Sequence, residues 1–304
     1  MKNNKLLSIC IPCCGRLNYV RKTLFSIYQT EASLDLFEVI LSDNSPNFEI
    51  EQLCQEFNYR NLHYYKTNCE GFMNSYYALT YGTGKLLKLH NSQSMFNVGS
   101  IEKILNQVAE NQHKNPVIFY TNGLLGKFKS IDYDTYDTFM YNLTYWSSWS
   151  NGFSIWKEDF ERIENLNLNA LFPHTSILVT QYSALNYIIN DEILFDIQII
   201  QKRGGHNKFK AFTIDYPSIV CDCCERNIIS VKSKQRILDD VLKEFLPSLV
   251  FNKYIARIET FEAVNFTENI KKYYPRWAVL IVLMYTPLVP FRLVYRKLMN
   301  KFYK

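Results

Sequence analysis

Short apolar runs alternate with helix-patterned segments over the first 121 residues, and this alternation restricts the fold more than any other feature of the chain. The runs are Leu6–Pro12, Phe37–Leu41, Leu62–Tyr65, Lys85–Leu89 and Val117–Thr121. Each is of strand length and bounded by polar or turn-forming residues. Between them lie segments with apolar residues three and four apart. Tyr19–Gln29 sets Val20, Leu24 and Ile27 on one face, and Gly99–Asn111 does the same with Ile101, Ile104, Leu105 and Val108. Ile50–Phe57 and Gly71–Tyr81 also read as helices. Strands separated by helices predict β-α-β units on a largely parallel sheet, an α/β fold. Such sheets bind ligands at the carboxyl ends of their strands. The turns after Ile11, Leu41 and Leu89 are therefore expected along one edge.

The sequence suggests a boundary near residue 225, with an α/β domain over 1–225 and a helical region over 226–304. Within the first, 130–150 is rich in Tyr, Asp, Thr, Trp and Ser and reads as a loop or hairpin over a site. The net charge of +5 hides an asymmetry. After Glu268 stand eight basic residues, from Lys271 to Lys304, and no acidic one. Without them the 34 basic residues no longer outnumber the 29 acidic ones. An acidic body argues against nucleic acid as a partner, and a basic tail argues for contact with an anionic surface. Leu6–Ile11 is too short for the core of a signal peptide. A reducing, cytoplasmic setting with free thiols is expected for the eight cysteines. Cys221-Asp222-Cys223-Cys224 lacks a second ligand pair at zinc-site spacing.

Three passages carry chemistry. The first strand runs into Pro12-Cys13-Cys14-Gly15-Arg16, followed by the helix that begins at Tyr19. The second strand ends in Ser42-Asp43-Asn44-Ser45. Lys66 precedes Asn68-Cys69-Glu70-Gly71-Phe72-Met73-Asn74, and Gly84–Leu89 leads into His90-Asn91-Ser92-Gln93. In this order, over roughly residues 5 to 180, the motifs resemble the inverting glycosyltransferases of family 2. Those enzymes have a GT-A fold, a Rossmann-like mixed sheet flanked by helices. The Ser-Asp-Asn passage is most similar to bacterial O-antigen (lipopolysaccharide) enzymes of the abequosyltransferase-like group.

The resemblance implies a nucleoside diphosphate sugar as donor and a glycan, often lipid-linked, as acceptor. It places Pro12, Cys13 and Cys14 at the base, and Asp43 at a base N–H or a ribose hydroxyl. Asn74, Lys66 and Arg16 fall in the same donor site. Each has a plainer reading: an Asx-turn for Asp43, a helix cap for Asn74, a surface ion pair for Arg16 and a solvated side chain for Lys66. The family's Asp-x-Asp metal motif falls on Asn91-Ser92-Gln93, where both carboxylates are replaced. Mg²⁺ and Mn²⁺ prefer anionic oxygen, so amides weaken the case for a divalent metal. Asn91, Gln93 and His206 remain the nearest candidate ligands. The leaving diphosphate would then need cations, among which Arg16, Lys66, Lys88, His90, Lys202, Arg203 and His206 are available. The family's base motif falls on His174-Thr175. His174 suits proton removal near neutral pH, or it is a helix-terminal or acceptor-binding residue. A chain lacking these carboxylates also fits a non-catalytic, nucleotide-binding subunit.

The tail closes the reading. Trp277–Phe291 is uncharged over 15 residues, short for a membrane span. Beyond it Phe291, Val294, Tyr295, Leu298 and Phe302 share a helical face, with Arg and Lys around them. This is the pattern of an in-plane helix on the inner face of a cytoplasmic membrane.

Overall fold

The computed structural model describes residues 5–164, 166–198 and 205–303. The chain forms two compact units, one of residues 1–134 and 149–198, the other of 135–148 and 199–304. The division thus falls earlier than residue 225, and the second unit also takes an internal piece of chain.

The first unit contains β1 (Leu7–Cys13), α1 (Leu17–Ile27), β2 (Phe37–Asp43), α2 (Gln52–Phe57), β3 (Leu62–Lys66), α3 (Asn74–Thr80) and β4 (Leu86–Leu89). After these come β5 (Ser94–Phe96), α4 (Ser100–Asn111), β6 (Val117–Tyr120) and β7 (Ser130–Tyr133). The main sheet has the order β3-β2-β1-β4, with all three pairings parallel. A fifth strand, β8 (Ser154–Trp156), adds antiparallel to β4. Beside β8 follow α6 (Lys157–Glu161), α7 (Pro173–Thr180), β9 (Tyr187–Asn190) and β10 (Phe195–Ile197). A smaller sheet orders β6-β9-β7, and β10 pairs with β5. The sheet is therefore mixed and the class α/β, as the alternation predicts.

Burial explains the apolar runs. Every residue of β2 and β4 is buried, including Glu38, Asp43 and Lys88. Helix covers both faces of a parallel sheet, so its central strands meet no solvent. Val20, Leu24 and Ile27 of α1 and Ile101, Ile104, Leu105 and Val108 of α4 pack into one core with Ile9, Ile11, Val39 and Leu41. Gly84 answers to close packing, since a Cβ there would stand 2.7 Å from the Leu7 carbonyl carbon and 2.8 Å from Ser8 N.

The second unit is helical. Its internal contribution, expected as a loop, carries α5 (Tyr136–Leu143). The Thr135 hydroxyl caps α5 by accepting from Thr138 N at 3.2 Å. Tyr136, Phe139, Met140 and Leu143 form the buried face. Helices over 208–225 and 231–255 follow, and the unit ends in a 26-residue helix, Ala278–Tyr303. All eight cysteines are free.

Candidate active site

Strand register assembles the site. Cys13 stands opposite Asp43, and Asp43 opposite Lys66, so the ends of β1, β2 and β3 line up at one sheet edge. Cys10 stands opposite Leu89, which brings His90–Gln93 to the same edge. Chain order reverses between β2-β1 and β1-β4. That is the switch point at which parallel sheets open a ligand crevice. The passages singled out in the sequence thus meet along one rim.

Asp43 is fully buried at the end of β2. Its Oδ1 accepts from Ser45 N at 2.9 Å and from the Ser45 hydroxyl. Its Oδ2 accepts from the Tyr64 hydroxyl at 2.9 Å and from Lys66 Nζ at 3.3 Å. The Asx-turn geometry is present, then, and an ion pair is added to it. Lys66 also donates to the Ser45 carbonyl and to the Asn47 carbonyl at 2.9 Å, and lies 5.0 Å from the Phe48 ring centre. It is a turn-clamping cation.

Asn74 begins α3 and is buried. Its Nδ2 donates to the Cys13 carbonyl at 3.0 Å and the Ser42 carbonyl at 2.8 Å, while its Oδ1 accepts from the Ser42 hydroxyl at 2.6 Å. Those bonds tie the ends of β1 and β2 together, so Asn74 shapes the rim from beneath. Pro12 is half-buried, Cys13 buried, and Cys14 and Arg16 are exposed. Gly15 and Arg16 both take positive φ, 61° and 62°. This left-handed turn brings the chain off β1 into α1.

The segment replacing the metal motif is held on several sides. Asn91 N donates to Asn151 Oδ1 at 2.6 Å, and Asn91 Oδ1 accepts from the Ser150 hydroxyl at 3.1 Å. The Ser92 carbonyl accepts from the Thr23 hydroxyl at 3.1 Å, and the Gln93 carbonyl from Gln198 N at 3.0 Å. Gln93 Oε1 accepts from Arg16 Nη1 at 3.5 Å. The amide oxygen that would face a metal therefore faces a guanidinium. Among the described residues no three His, Cys, Asp or Glu side chains come together as a metal site. By donor chemistry Asn91 and Gln93 do not fit Mg²⁺ or Mn²⁺. His206, the other candidate, is half-buried in the second unit. Lys202 and Arg203 lie outside the described residues.

Two of the cations proposed for the diphosphate need correction. His90 is fully buried, stacked 4.1 Å from the Phe96 ring. Its Nε2–H donates to the Ser94 carbonyl at 2.8 Å. Burial, with Lys88 nearby, holds its pKa well below the usual histidine value, so it stays neutral and supplies no charge. Lys88 is also fully buried. Its Nζ donates to the Leu89 carbonyl at 3.1 Å and the Asn151 carbonyl at 2.9 Å, and lies 4.9 Å from the Tyr120 ring centre. It braces Asn151, which in turn holds Asn91, and its ammonium is closed off from the surface. The rings of Tyr120 and Phe195 cover Lys88, and those of Phe96 and Phe195 cover His90, so neither side chain comes to the rim.

Burial lowers the Lys88 pKa to about 7. Between about 7 and the usual lysine value the folded chain binds fewer protons at this site than the unfolded chain. Stability must then rise with pH across that window, by up to about 1.4 kcal/mol per pH unit. Lys88→Met is expected to remove this slope. Urea unfolding at pH 7 and pH 9 of both proteins checks it, and equal slopes would disprove it.

His174 and Thr175 form the first turn of α7, 4% and 1% exposed. The imidazole meets the Phe153 and Phe172 rings at 6.4 and 6.5 Å, tilted toward perpendicular. Phe153 also accepts at its carbonyl from Leu89 N, which places His174 one side chain from the end of β4. The carboxylates Glu158 and Asp159 lie on α6 and pair with Arg162.

A four-stranded parallel sheet, an antiparallel strand beyond it and a polar rim at the switch point define a GT-A-type scaffold of the nucleotide-sugar glycosyltransferases. The chain belongs to glycosyl transferase family 2, whose sequence pattern matches residues 8–178. Among solved structures, TarS 1–349 from S. aureus in complex with UDP-GlcNAc superposes with a TM-score of 0.60 at 14% identity, covering 97% of this chain and 88% of that one. A mannosyltransferase from Pyrobaculum calidifontis in complex with GDP-Man and Mn²⁺ gives 0.58 at 12% identity, covering 96% and 83%. At such identities the likeness establishes the fold. A search of curated protein sequences finds no match.

Proposed function

We propose that this protein moves a hexosyl or deoxyhexosyl group from a nucleoside diphosphate sugar to a glycan hydroxyl, with inversion. The acceptor oxygen bonds to the anomeric carbon as the bond to the diphosphate breaks. The hydroxyl proton passes to His174, and Arg16 faces the departing charge. The observation that carries this reading is the alignment of Cys13, Asp43 and Lys66 at the switch point, beside an Arg16 that reaches Gln93. A lipid-linked oligosaccharide of a bacterial surface polysaccharide is the acceptor class we favour, with the enzyme working at the inner face of the membrane. Because amides occupy the metal positions, no step is assigned to a metal.

A panel of UDP-, GDP- and dTDP-sugars, assayed for transfer and hydrolysis with and without EDTA, tests the proposal. Turnover with at least one donor, unchanged by EDTA, is expected. Loss of turnover in EDTA would restore the metal. The replaced carboxylates favour one second reading, a nucleotide-binding subunit without catalysis. Calorimetric binding of UDP or GDP with no turnover of any donor would select it.

A further inference from the structure

The terminal helix, Ala278–Tyr303, carries two apolar stripes. Ala278, Val282, Thr286 and Val289, spaced four, four and three apart, are buried. They form the stripe that packs on the rest of the second unit. Leu280, Met284, Phe291, Val294, Leu298 and Phe302 are also spaced at helical intervals, and they fall on the opposite side. All six are exposed, Phe291 by 74% and Phe302 by 82%. A helix on the surface of a water-soluble protein is apolar on one stripe and polar on the other. A second stripe running most of the helix length is a contiguous patch, and patches of that size mark a surface that something covers.

The charges favour one kind of cover. Arg292 turns toward the unit, donating to the Lys243 carbonyl at 2.9 Å, and Arg296 lies 5.6 Å from the Trp146 ring centre. Lys297 and Lys301 are exposed beside the outer apolar stripe. No acidic residue follows Glu268. A second copy of the chain would bring these like charges together, whereas an anionic lipid surface complements them. By length and composition the 26-residue helix could cross a membrane, but its wholly uncharged run, Trp277–Phe291, reaches only about 22 Å against a hydrocarbon core of about 30 Å. With one stripe already docked on protein, the helix has only its other side to offer.

We infer that the terminal helix lies in the plane of an anionic bilayer, its Leu280–Phe302 stripe at the acyl boundary and Lys297 and Lys301 among the headgroups. The docking is independent of the transfer reaction, because it is read without donor or acceptor. The experiment is flotation of the full chain with vesicles of phosphatidylcholine alone or mixed three to one with phosphatidylglycerol. Binding to the mixed vesicles is expected, with weak binding to the neutral ones. The F291E/F302E double variant should lose at least tenfold in bound fraction with its circular dichroism unchanged, since both sites are exposed. K297Q/K301Q should weaken binding to the mixed vesicles about fivefold per charge removed, and salt should have the same effect. Failure of the native chain to float overturns the proposal. So does resistance to alkaline extraction, which would mean a span. A dimer that F291E/F302E dissolves, with vesicle binding intact, would assign the stripe to a second copy instead.

Discussion

Replacing Asp43 by alanine is expected to lower folding stability by about 3 kcal/mol and to abolish binding of nucleoside diphosphates. The carboxylate is buried and accepts four hydrogen bonds, from Ser45 N, the Ser45 hydroxyl, Tyr64 and Lys66. Its loss leaves the Lys66 ammonium, 23% exposed, without a counter-ion and the Ser45–Asn47 turn without its anchor. Removing one member of such a pair costs more than the pair is worth, because the other charge stays where water cannot reach it freely. The same turn forms part of the rim, so the ligand surface should loosen along with the fold. Urea unfolding and calorimetry with UDP and GDP measure the two effects. Asp43→Asn separates them. It keeps the volume and the acceptor toward Ser45 but turns an amide N–H toward two donors. Native affinity in Asp43→Asn would make the residue a turn builder with no ligand contact of its own.

The second large effect is expected at His174. If the imidazole takes the acceptor proton, His174→Gln should lower kcat by about 10²–10⁴, with the donor KM and the unfolding midpoint little changed. Glutamine nearly keeps the volume and the polarity but has no basic nitrogen, so it isolates the proton from the packing against Phe153 and Phe172. Thr175→Val asks the same of the other residue in the base motif. Activity within threefold of native in His174→Gln would remove the base role. A fall in stability that accounts for the lost turnover would make His174 a packing residue of α7.

The sheet, and the rim on which the candidate residues meet, were legible because strand period, helix period and turn chemistry agreed. Asp43 ends a buried apolar run and precedes Asn44-Ser45-Pro46, so its place at a carboxyl edge followed from the sequence. What that edge does with the side chain did not. The bonds made by Asn74 and Lys66 depend on which strands become neighbours, and the register of β1 on β2 and β2 on β3 decides that. Lys88 and His90 read as cations near a diphosphate. Their burial reflects the rings of Tyr120 and Phe195, brought over them from far along the chain, which no local pattern reveals. Helix α5 was legible in principle. Tyr136, Phe139, Met140 and Leu143 carry helical spacing and Thr135 is a good cap, but the surrounding Asp, Thr and Ser gave the segment the look of a loop.

The bonds around Asn91, Ser92 and Gln93 bear on how a donor is received. Ordering one backbone residue costs about 1–2 kcal/mol, and here folding itself has met that cost through Thr23, Ser150, Asn151 and Gln198. So tied, the segment has the character of a mould and not of a flap. If the proposed donor site is right, an arriving diphosphate would find these surroundings already cast and would spend little of its affinity on ordering them. Discrimination among donors would then rest on how well each one matches a fixed shape, and a poorly matched sugar would not be rescued by the loop refitting around it.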